Sequence, residues 1–489
     1  MQAHSDLESN QRQLLARMIK RARTTEWGRS HHYEKLAGYS DYAESVAVSP
    51  YDHIRQMVMR MIAGETDILW PGRVRNFAQS SGTSDGKSKY IPITPESFKR
   101  NHYRGASDVV AHYLAHHPES RVLDGAAFIL GGSFANELDI PRGVCVGDLS
   151  ANLIENINPI VNLLRVPSKH TALLEDWQQK LPALAREAAP RRVTNLSGVP
   201  SWFLSVLKEV LQVTGKSHIK DVWPHLEVFF HGGISFDPYR EQYREIIGGD
   251  GINYVETYNA SEGFFGVQDD PTVKAISLIV DAGVFYEFLP VGRPDAAPIP
   301  AWEVTQGEIY SLIITACNGL WRYPIGDTVR IESTSPLRIT IAGRTKHFIN
   351  AFGEELMVYN ADRALTQTCE EMGCSVLNYT AAPLFENNGI ANGRHQWLIE
   401  FEREPASLEE FADTLDNHLQ EQNSDYQAKR TADMFLGRLS VTRAPRGLFD
   451  RWLASTGKLG GQRKVPRLCN DRRFIDPMLA LLSQVLATH

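Results

Sequence analysis

The run Ser80-Ser81-Gly82-Thr83-Ser84-Asp85-Gly86-Lys87-Ser88-Lys89-Tyr90 crowds hydroxyls, glycines and lysines where apolar residues would otherwise build core. That chemistry suits an anion. Glycine lets the backbone approach a phosphate and turn its N–H groups inward, Ser and Thr add hydroxyl donors, and Lys supplies a point charge. The Walker pattern, which needs G-x-x-x-x-G-K-[ST], is not met. A solvated Gly/Ser turn explains such a run equally well when it is taken alone.

Four further clusters bear on the choice. Thr257-Tyr258-Asn259-Ala260-Ser261-Glu262-Gly263 follows an alternating strand pattern, so Tyr258 can stack on a planar base and Glu262 can offer hard oxygen to Mg²⁺. Trp321-Arg322-Tyr323-Pro324-Ile325-Gly326-Asp327 places a carboxylate after a glycine, where it can accept two ribose hydroxyls or serve as ordinary turn chemistry. Gly343-Arg344-Thr345-Lys346-His347-Phe348-Ile349-Asn350-Ala351-Phe352-Gly353 has glycine at both ends and reads either as a hinge or as a linker. Thr456-Gly457-Lys458-Leu459-Gly460-Gly461-Gln462-Arg463-Lys464-Val465-Pro466-Arg467 is basic and glycine-rich, as an anion-contacting loop would be.

The elements that must position these groups alternate between helical and strand periods. Ala126 to Leu130 reads as a buried strand leaving into Gly131-Gly132, and Leu226 to Phe230 as another leaving into His231-Gly232-Gly233. Helices are expected over 171–189 and 200–213. The stretch from Ile276 to Ile341 is rich in β-branched runs and reads as a small barrel or sheet. Beyond Gly343 come a helix near 358–372, strands near 375–381 and 395–402, a helix at 407–421 and a closing helix at 475–487. The reading is α/β, with a large domain over 1–343 and a small α/β domain over 344–489.

Composition bounds the function. The chain has 489 residues, 43% hydrophobic and 22% charged, which is ordinary for a globular protein. A net charge of −7 with no extended basic face points away from nucleic acid. The cysteines Cys145, Cys317, Cys369, Cys374 and Cys469 lack C-x-x-C spacing, so neither a disulfide framework nor a zinc site is expected. With no leader pattern and no run of 18 apolar residues, a cytoplasmic protein without a membrane partner is expected. A monomer is the favoured state.

Taken together, Ser-Ser-Gly-Thr-Ser, Tyr-x-x-Ser-Glu-Gly, the Gly-Asp turn, Gly-Arg-Thr and the late lysine, in that order, resemble the adenylate-forming superfamily of acyl-CoA synthetases, adenylation domains and luciferases. Ser80 to Thr94, Phe348 to Glu354 and Gln462-Arg463-Lys464-Val465-Pro466-Arg467 resemble, more narrowly, the Gretchen Hagen family of auxin-responsive acyl-acid amido synthetases. The resemblance covers about residues 50 to 470, and a length shorter than that of plant members suggests a microbial one. It implies an adenylate-forming fold with a large N-terminal domain of α/β subdomains plus a small β-barrel, and a small mobile C-terminal α/β domain.

It also implies a reaction. A carboxylic acid is activated by ATP and Mg²⁺ as an acyl adenylate, with release of pyrophosphate, and the acyl group then passes to an amine or amino acid. Catalysis would rest on alignment and charge neutralisation. By resemblance Ser81, Gly82, Thr83 and Ser84 hold the phosphates with Lys89 nearby, Tyr258 packs on adenine against Gly232-Gly233, Glu262 binds the metal and Asp327 takes the ribose. Ser80, Thr257, Asn259, Ser261 and Arg344 complete the expected nucleotide site, and Lys464, Glu262 and Thr83 are the expected catalytic groups.

Departures are informative. Ser88 stands where Pro often precedes the lysine, Lys346 where many relatives have a hinge Asp, and Asn350 where Lys is frequent. Lys458 also resembles a late catalytic lysine, although Lys464 matches better. An acyl-CoA ligase forming a thioester through the same adenylate is the alternative activity; a nucleotide-binding module without catalysis fits poorly with Lys464, Glu262 and Asp327 together. Tyr103, Phe134, Phe230 and Ile234 are candidate acyl-pocket residues, Arg104 a candidate partner for a second carboxylate, and His102, His112, His116 and His117 a loose cluster without metal-ligand spacing.

Overall fold

A computed structural model describes residues 6–80, 89–136, 138–233, 236–293, 296–344, 348–349, 351, 354, 356–385, 393–423, 426–427, 430, 436–456, 465–469 and 471–487. Two compact units emerge. One comprises Met1–Gly233 with Asp250–Ile341, the other Ile234–Gly249 with Ala342–His489. Among the described residues no helix is long and apolar enough to cross a membrane.

In chain order the strands of the first unit begin with β1 (Asn76–Ser80), β2 (Lys89–Ile93), β3 (Ala126–Ile129), β4 (Cys145–Gly147) and β5 (Arg165–Val166). Next come β6 (Val193–Gly198), β7 (Val228–Gly232), β8 (Asn253–Ala260), β9 (Gly263–Val267) and β10 (Ile276–Leu278). The last are β11 (Val284–Pro290), β12 (Ile299–Pro300), β13 (Ile309–Ala316), β14 (Leu320–Thr334) and β15 (Leu337–Arg344). A twelve-stranded sheet runs in the order β12-β11-β13-β14-β15-β10-β9-β8-β7-β6-β3-β5.

From β5 to β8 every pairing is parallel, and at β8 the sheet changes character by pairing antiparallel with β9. The sequence explains the change. β7, Val228-Phe229-Phe230-His231-Gly232, is buried at every position, as a parallel strand covered on both faces must be. The strand-rich stretch from Ile276, expected as a small barrel or sheet, is continuous with this sheet, since β10 pairs antiparallel with both β9 and β15.

Helix Pro200–Thr214 shows how the parallel half is covered. Pro200 sits at its first turn and Gly215, in the left-handed conformation at φ +65°, ends it. Phe203, Val206, Leu207 and Val210, at helical spacing, are fully buried. The Phe203 ring meets Phe128 of β3 edge-on at 5.1 Å and Phe229 of β7 at 5.3 Å. Burial of each such side chain stabilises by roughly 1.5–3 kcal/mol.

The second unit has its own core. After the short strands β16 (Phe348–Ile349) and β17 (Leu356–Met357), helix Val358–Met372 leads to β18 (Ser375–Phe385) and β19 (Gly393–Arg403); helix Leu408–Gln422 leads to β20 (Gly437–Ala444). β19 pairs antiparallel with β18 and parallel with β20. Leu365, Trp397, Phe411 and Leu415 are buried between sheet and helices. Residues 234–249, which a linear reading assigns to the large domain, cluster here because the Tyr239 hydroxyl donates to the Leu377 carbonyl at 3.1 Å and the Gln242 amide donates to the Val376 carbonyl at 3.4 Å.

Replacing Phe203 with Ala should therefore destabilise the first unit by about 3–5 kcal/mol, read as a lowered urea midpoint. A loss below about 1 kcal/mol would contradict this packing.

Candidate active site

β1 and β2 form an antiparallel hairpin in which Ser80 stands directly opposite Lys89. Ser81, Gly82, Thr83 and Ser84 lie outside the described residues, so the expected phosphate loop is the connection of this hairpin and its two ends are held together by the ladder. Lys89 leaves the loop over the rings of Tyr51 and Tyr323, with Nζ 6.0 and 5.9 Å from the centroids. Its Nζ donates to the Tyr323 hydroxyl at 3.5 Å. Tyr323 in turn donates to Glu262 Oε1 at 3.3 Å. Burial, then the neighbouring Glu262, holds the Tyr323 hydroxyl well above the ordinary phenol range, so it remains a donor.

Glu262 belongs to the turn between β8 and β9, and its carbonyl accepts from Asn318 Nδ2 at 3.0 Å. Tyr258, earlier on β8, donates to Asp327 Oδ2 at 2.7 Å, and both residues are buried. The Tyr258 ring packs on Phe265 at 5.0 Å. Thus residues spread over more than two hundred positions of sequence meet in two hydrogen-bonded groups, Lys89 with Tyr323 and Glu262, and Tyr258 with Asp327.

β14 is aimed by two irregularities. Pairs Ile314↔Tyr323 and Ala316↔Leu320 leave Thr315 facing both Trp321 and Arg322, and Ser311↔Thr328 and Ile313↔Pro324 leave Leu312 facing three residues ending at Asp327. Such bulges turn side chains out of the regular alternation. Gly326 adopts φ +94°, and Arg322, a non-glycine, adopts φ +43°. The Arg322 guanidinium donates twice to Glu287 at 3.0 and 2.8 Å and also to the carbonyls of Ala43 and Val46. Trp321 Nε1 donates to the Leu69 carbonyl at 3.0 Å. In Trp321 to Asp327, then, the first two residues anchor the strand while Tyr323 and Asp327 enter the site.

At the end of β7, Gly232 is hemmed in by β8. A Cβ there would stand 2.5 Å from the Thr257 carbonyl oxygen, 2.8 Å from Thr257 Oγ1 and 3.1 Å from Asn259 Oδ1. Thr257 also donates to the His231 carbonyl at 3.0 Å, so this side chain braces the turn. Gly233 is exposed at φ +82°. Ser261 is buried in the β8–β9 turn, and Arg344 ends β15. Lys464, Lys458 and Ile234 lie outside the described residues.

Three of the acyl-pocket candidates are described. Phe230 lies in a buried cluster and meets Tyr113 edge-on at 5.7 Å. Tyr103 donates to the Leu153 carbonyl at 2.9 Å and stacks on Phe98. Phe134 packs over Gly147, where a Cβ would come within 2.7 Å of its ring. Arg104 is paired with Asp108 and Asp281.

One group missed by sequence reasoning is Lys180, on helix Trp177–Ala188, which donates to the carbonyls of Gly131 and Gly132 at 2.7 and 3.0 Å. Burial pushes its ammonium down to about 8. It secures the Gly131 to Phe134 turn that follows β3, and no motif marks it. Tyr323 lies within the Trp321 to Asp327 cluster, but only the tertiary fold sets it between Glu262 and Lys89.

The domain descriptions of one family match nearly the whole chain. The GH3 family N-terminal domain matches residues 1–252, the central domain 277–344 and the C-terminal domain 359–473. The chain belongs to the GH3 family. Among its relatives, jasmonoyl-L-amino acid synthetase GH3.5 of Oryza sativa subsp. japonica is 22% identical, over 92% of this chain and 90% of that protein. Indole-3-acetic acid-amido synthetase GH3.3 of Arabidopsis thaliana is 21% identical, over 98% of this chain and 92% of that protein. Of solved structures, the AtGH3.15 acyl acid amido synthetase in complex with 2,4-DB superposes with a TM-score of 0.79 at 20% identity, covering 97% of this GH3 chain and 94% of that chain. A 2-hydroxyisobutyryl-CoA ligase shares the fold at a TM-score of 0.63 and 12% identity, covering 99% of this chain and 92% of that one.

The histidine cluster of this GH3 protein has a structural member. His102 is buried at the end of the π-helical turn Phe98–His102, and its Nε2 has no hydrogen-bond partner among the described residues. Burial pushes it down from 6.5 to about 4. The unfolded chain takes up a proton that the folded chain refuses, so stability present above pH 6.5 is lost as pH falls toward 4, by on the order of 3 kcal/mol. His102→Leu should flatten this acid dependence in denaturant titrations, and an unchanged acid slope would exclude His102 as its source.

Proposed function

We propose that this GH3 protein is an ATP-dependent acyl-acid amido synthetase, a ligase that joins a carboxylic acid to an amine or amino acid. The observation that carries the reading is the convergence of Tyr258 with Asp327, and of Glu262 with Tyr323 and Lys89, at the end of β8 where the sheet passes from parallel to antiparallel. Ligands of open α/β sheets bind outside the carboxyl ends of parallel strands. The amide-forming names of the relatives agree in reaction type.

In the first step a carboxylate oxygen of the acid attacks the α-phosphorus of ATP and pyrophosphate leaves. In the second the amine nitrogen attacks the acyl carbon, AMP leaves and the amine gives up a proton. The loop Ser81 to Ser84, with Ser80 and Lys89 at its ends, holds the phosphates through backbone and hydroxyl donors and the lysine charge. Tyr258, with the Gly232-Gly233 turn, Thr257, Asn259 and Ser261, takes the adenine end. Asp327, already accepting one hydroxyl from Tyr258, takes the ribose, and Arg344 lies on the same nucleotide.

A single buried carboxylate at Glu262 fits Mg²⁺, which keeps water and phosphate oxygens as its other ligands. When bound, the ion neutralises phosphate charge. Lys464 acts at the α-phosphate or the acyl carboxylate in the first step and is withdrawn for the second by rotation of the small C-terminal domain. The protein acts in the cytoplasm.

Incubation with ATP, a panel of acids, a panel of amines and amino acids, and CoA, with products read by mass, should yield an amide conjugate. Thioester formation with CoA and no conjugate with any amine would convert the assignment to acyl-CoA ligase. Lys464→Ala should lower ATP–pyrophosphate exchange about a hundredfold or more while the fold survives. Exchange that persists in this variant moves the role to Lys458. Tyr258→Phe, which removes the hydroxyl from Asp327, should raise KM for ATP severalfold, and an unchanged KM would separate this hydrogen bond from nucleotide binding.

A further inference from the structure

The residues that follow Lys464 are tied to the second unit more tightly than a surface loop requires. Ala381 N donates to the Arg467 carbonyl at 2.8 Å, and Cys469 N donates to the Ala381 carbonyl at 3.1 Å. Thr380 Oγ1 donates to the Pro466 carbonyl at 2.7 Å. Leu468 thus bridges Ala381 in parallel, so residues 466–469 add a short rung to β18.

The Arg467 side chain adds a second restraint. Its Nη1 donates to Asp362 Oδ2, and its guanidinium lies over the Tyr379 ring at 5.5 Å from the centroid. Tyr379 donates to Asp362 Oδ1 at 2.6 Å. Asp362 is buried on helix Val358–Met372. Tyr239 closes the cluster from residues 234–249, its hydroxyl on the Leu377 carbonyl. Burial works against the charge of Arg467, but Asp362 and the two tyrosines more than compensate and hold it above the ordinary guanidinium value.

A largely buried ion pair of this kind adds little net stability over apolar residues of the same shape, and its best-attested use is to fix register. Register matters at this place. Arg467 is three residues from Lys464, so at most about 10 Å of chain separates their Cα atoms. A slip of one residue along β18 would shift the segment by roughly 3.3 Å and turn alternate side chains to the opposite face.

We propose that Arg467, Asp362 and Tyr379 are positioning residues that lock the register of residues 466–469, which follow Lys464 in the chain, and that adenylation depends on them through that lysine. This rests on the acyl-adenylate reading above. None of the three touches substrate. Their contribution belongs to kcat of the first step and leaves ATP affinity untouched.

The test uses the full chain. Arg467→Met should lower ATP–pyrophosphate exchange per folded molecule at least tenfold with KM for ATP unchanged within twofold, and Arg467→Met in the Lys464→Ala background should cause no further loss. Tyr379→Phe, which keeps the ion pair and the ring, should show a smaller loss of the same type and serves if Arg467→Met does not fold. A fall in proportion to the folded fraction alone, or losses that multiply in the double variant, would overturn the proposal. Wild-type exchange that requires Lys464 but is indifferent to both variants would overturn it while the acyl-adenylate reading stands. If the wild-type chain shows no exchange with any acid, that reading fails, and amide hydrogen exchange decides the anchor: at least tenfold faster exchange at Ala381 and Cys469 in Arg467→Met supports it, and unchanged exchange there removes it.

Discussion

Arg322 and Glu287 form an ion pair whose side chains are only 6% and 0% exposed, and the site depends on it. Two charges cannot stand in a protein interior without a full set of partners. Here the guanidinium also meets the carbonyls of Ala43 and Val46, and the carboxylate also accepts from Tyr39. These bonds reach into the helix Tyr39–Ser45 and into β11, so they fasten β14 on two sides at the place where it bulges past Thr315. Without that fastening a strand carrying an arginine at positive φ has no reason to hold its irregular register. With it, Tyr323 and Asp327 emerge beside Glu262 and Tyr258.

The same economy recurs along the proposed site: a residue that braces the backbone lies next to one with a proposed chemical role. Trp321 and Arg322 precede Tyr323; Thr257 braces the Gly232 turn beside Tyr258; Arg467 stands three positions beyond Lys464. Chemistry is only part of what such segments encode. Arrangement of charge around transferring phosphates demands donors placed in advance, because catalysis of this type rests on preorganised positions rather than on covalent participation.

Much of the fold was legible. Helices expected at 358–372, 407–421 and 475–487 are found at Val358–Met372, Leu408–Gln422 and Ile475–Ala487, since their apolar periods are strong and glycine or polar residues end them. The strand of Leu226 to Phe230 and its glycine turn were equally clear. The continuation of one sheet through Ile276 to Ile341 was not, because strand pairing is a long-range choice that alternation alone does not encode. Nor could residues 234–249 be seen to cluster with the second unit, since Tyr239 and Gln242 bond to backbone carbonyls, which leave no trace in side-chain pattern.

By itself the sequence determined the family: its hydroxyl and glycine run, its carboxylate after a glycine and its late lysine resemble, in their order, the family whose domains match the chain. These follow from the identity of side chains and from short spacings. Only the tertiary structure decided which groups meet. It set Tyr258 on Asp327 and Tyr323 between Lys89 and Glu262, and it buried His102. The physical reason is that a side chain's chemistry is local, whereas its partners and its exposure to water are fixed by contacts between residues far apart in the chain.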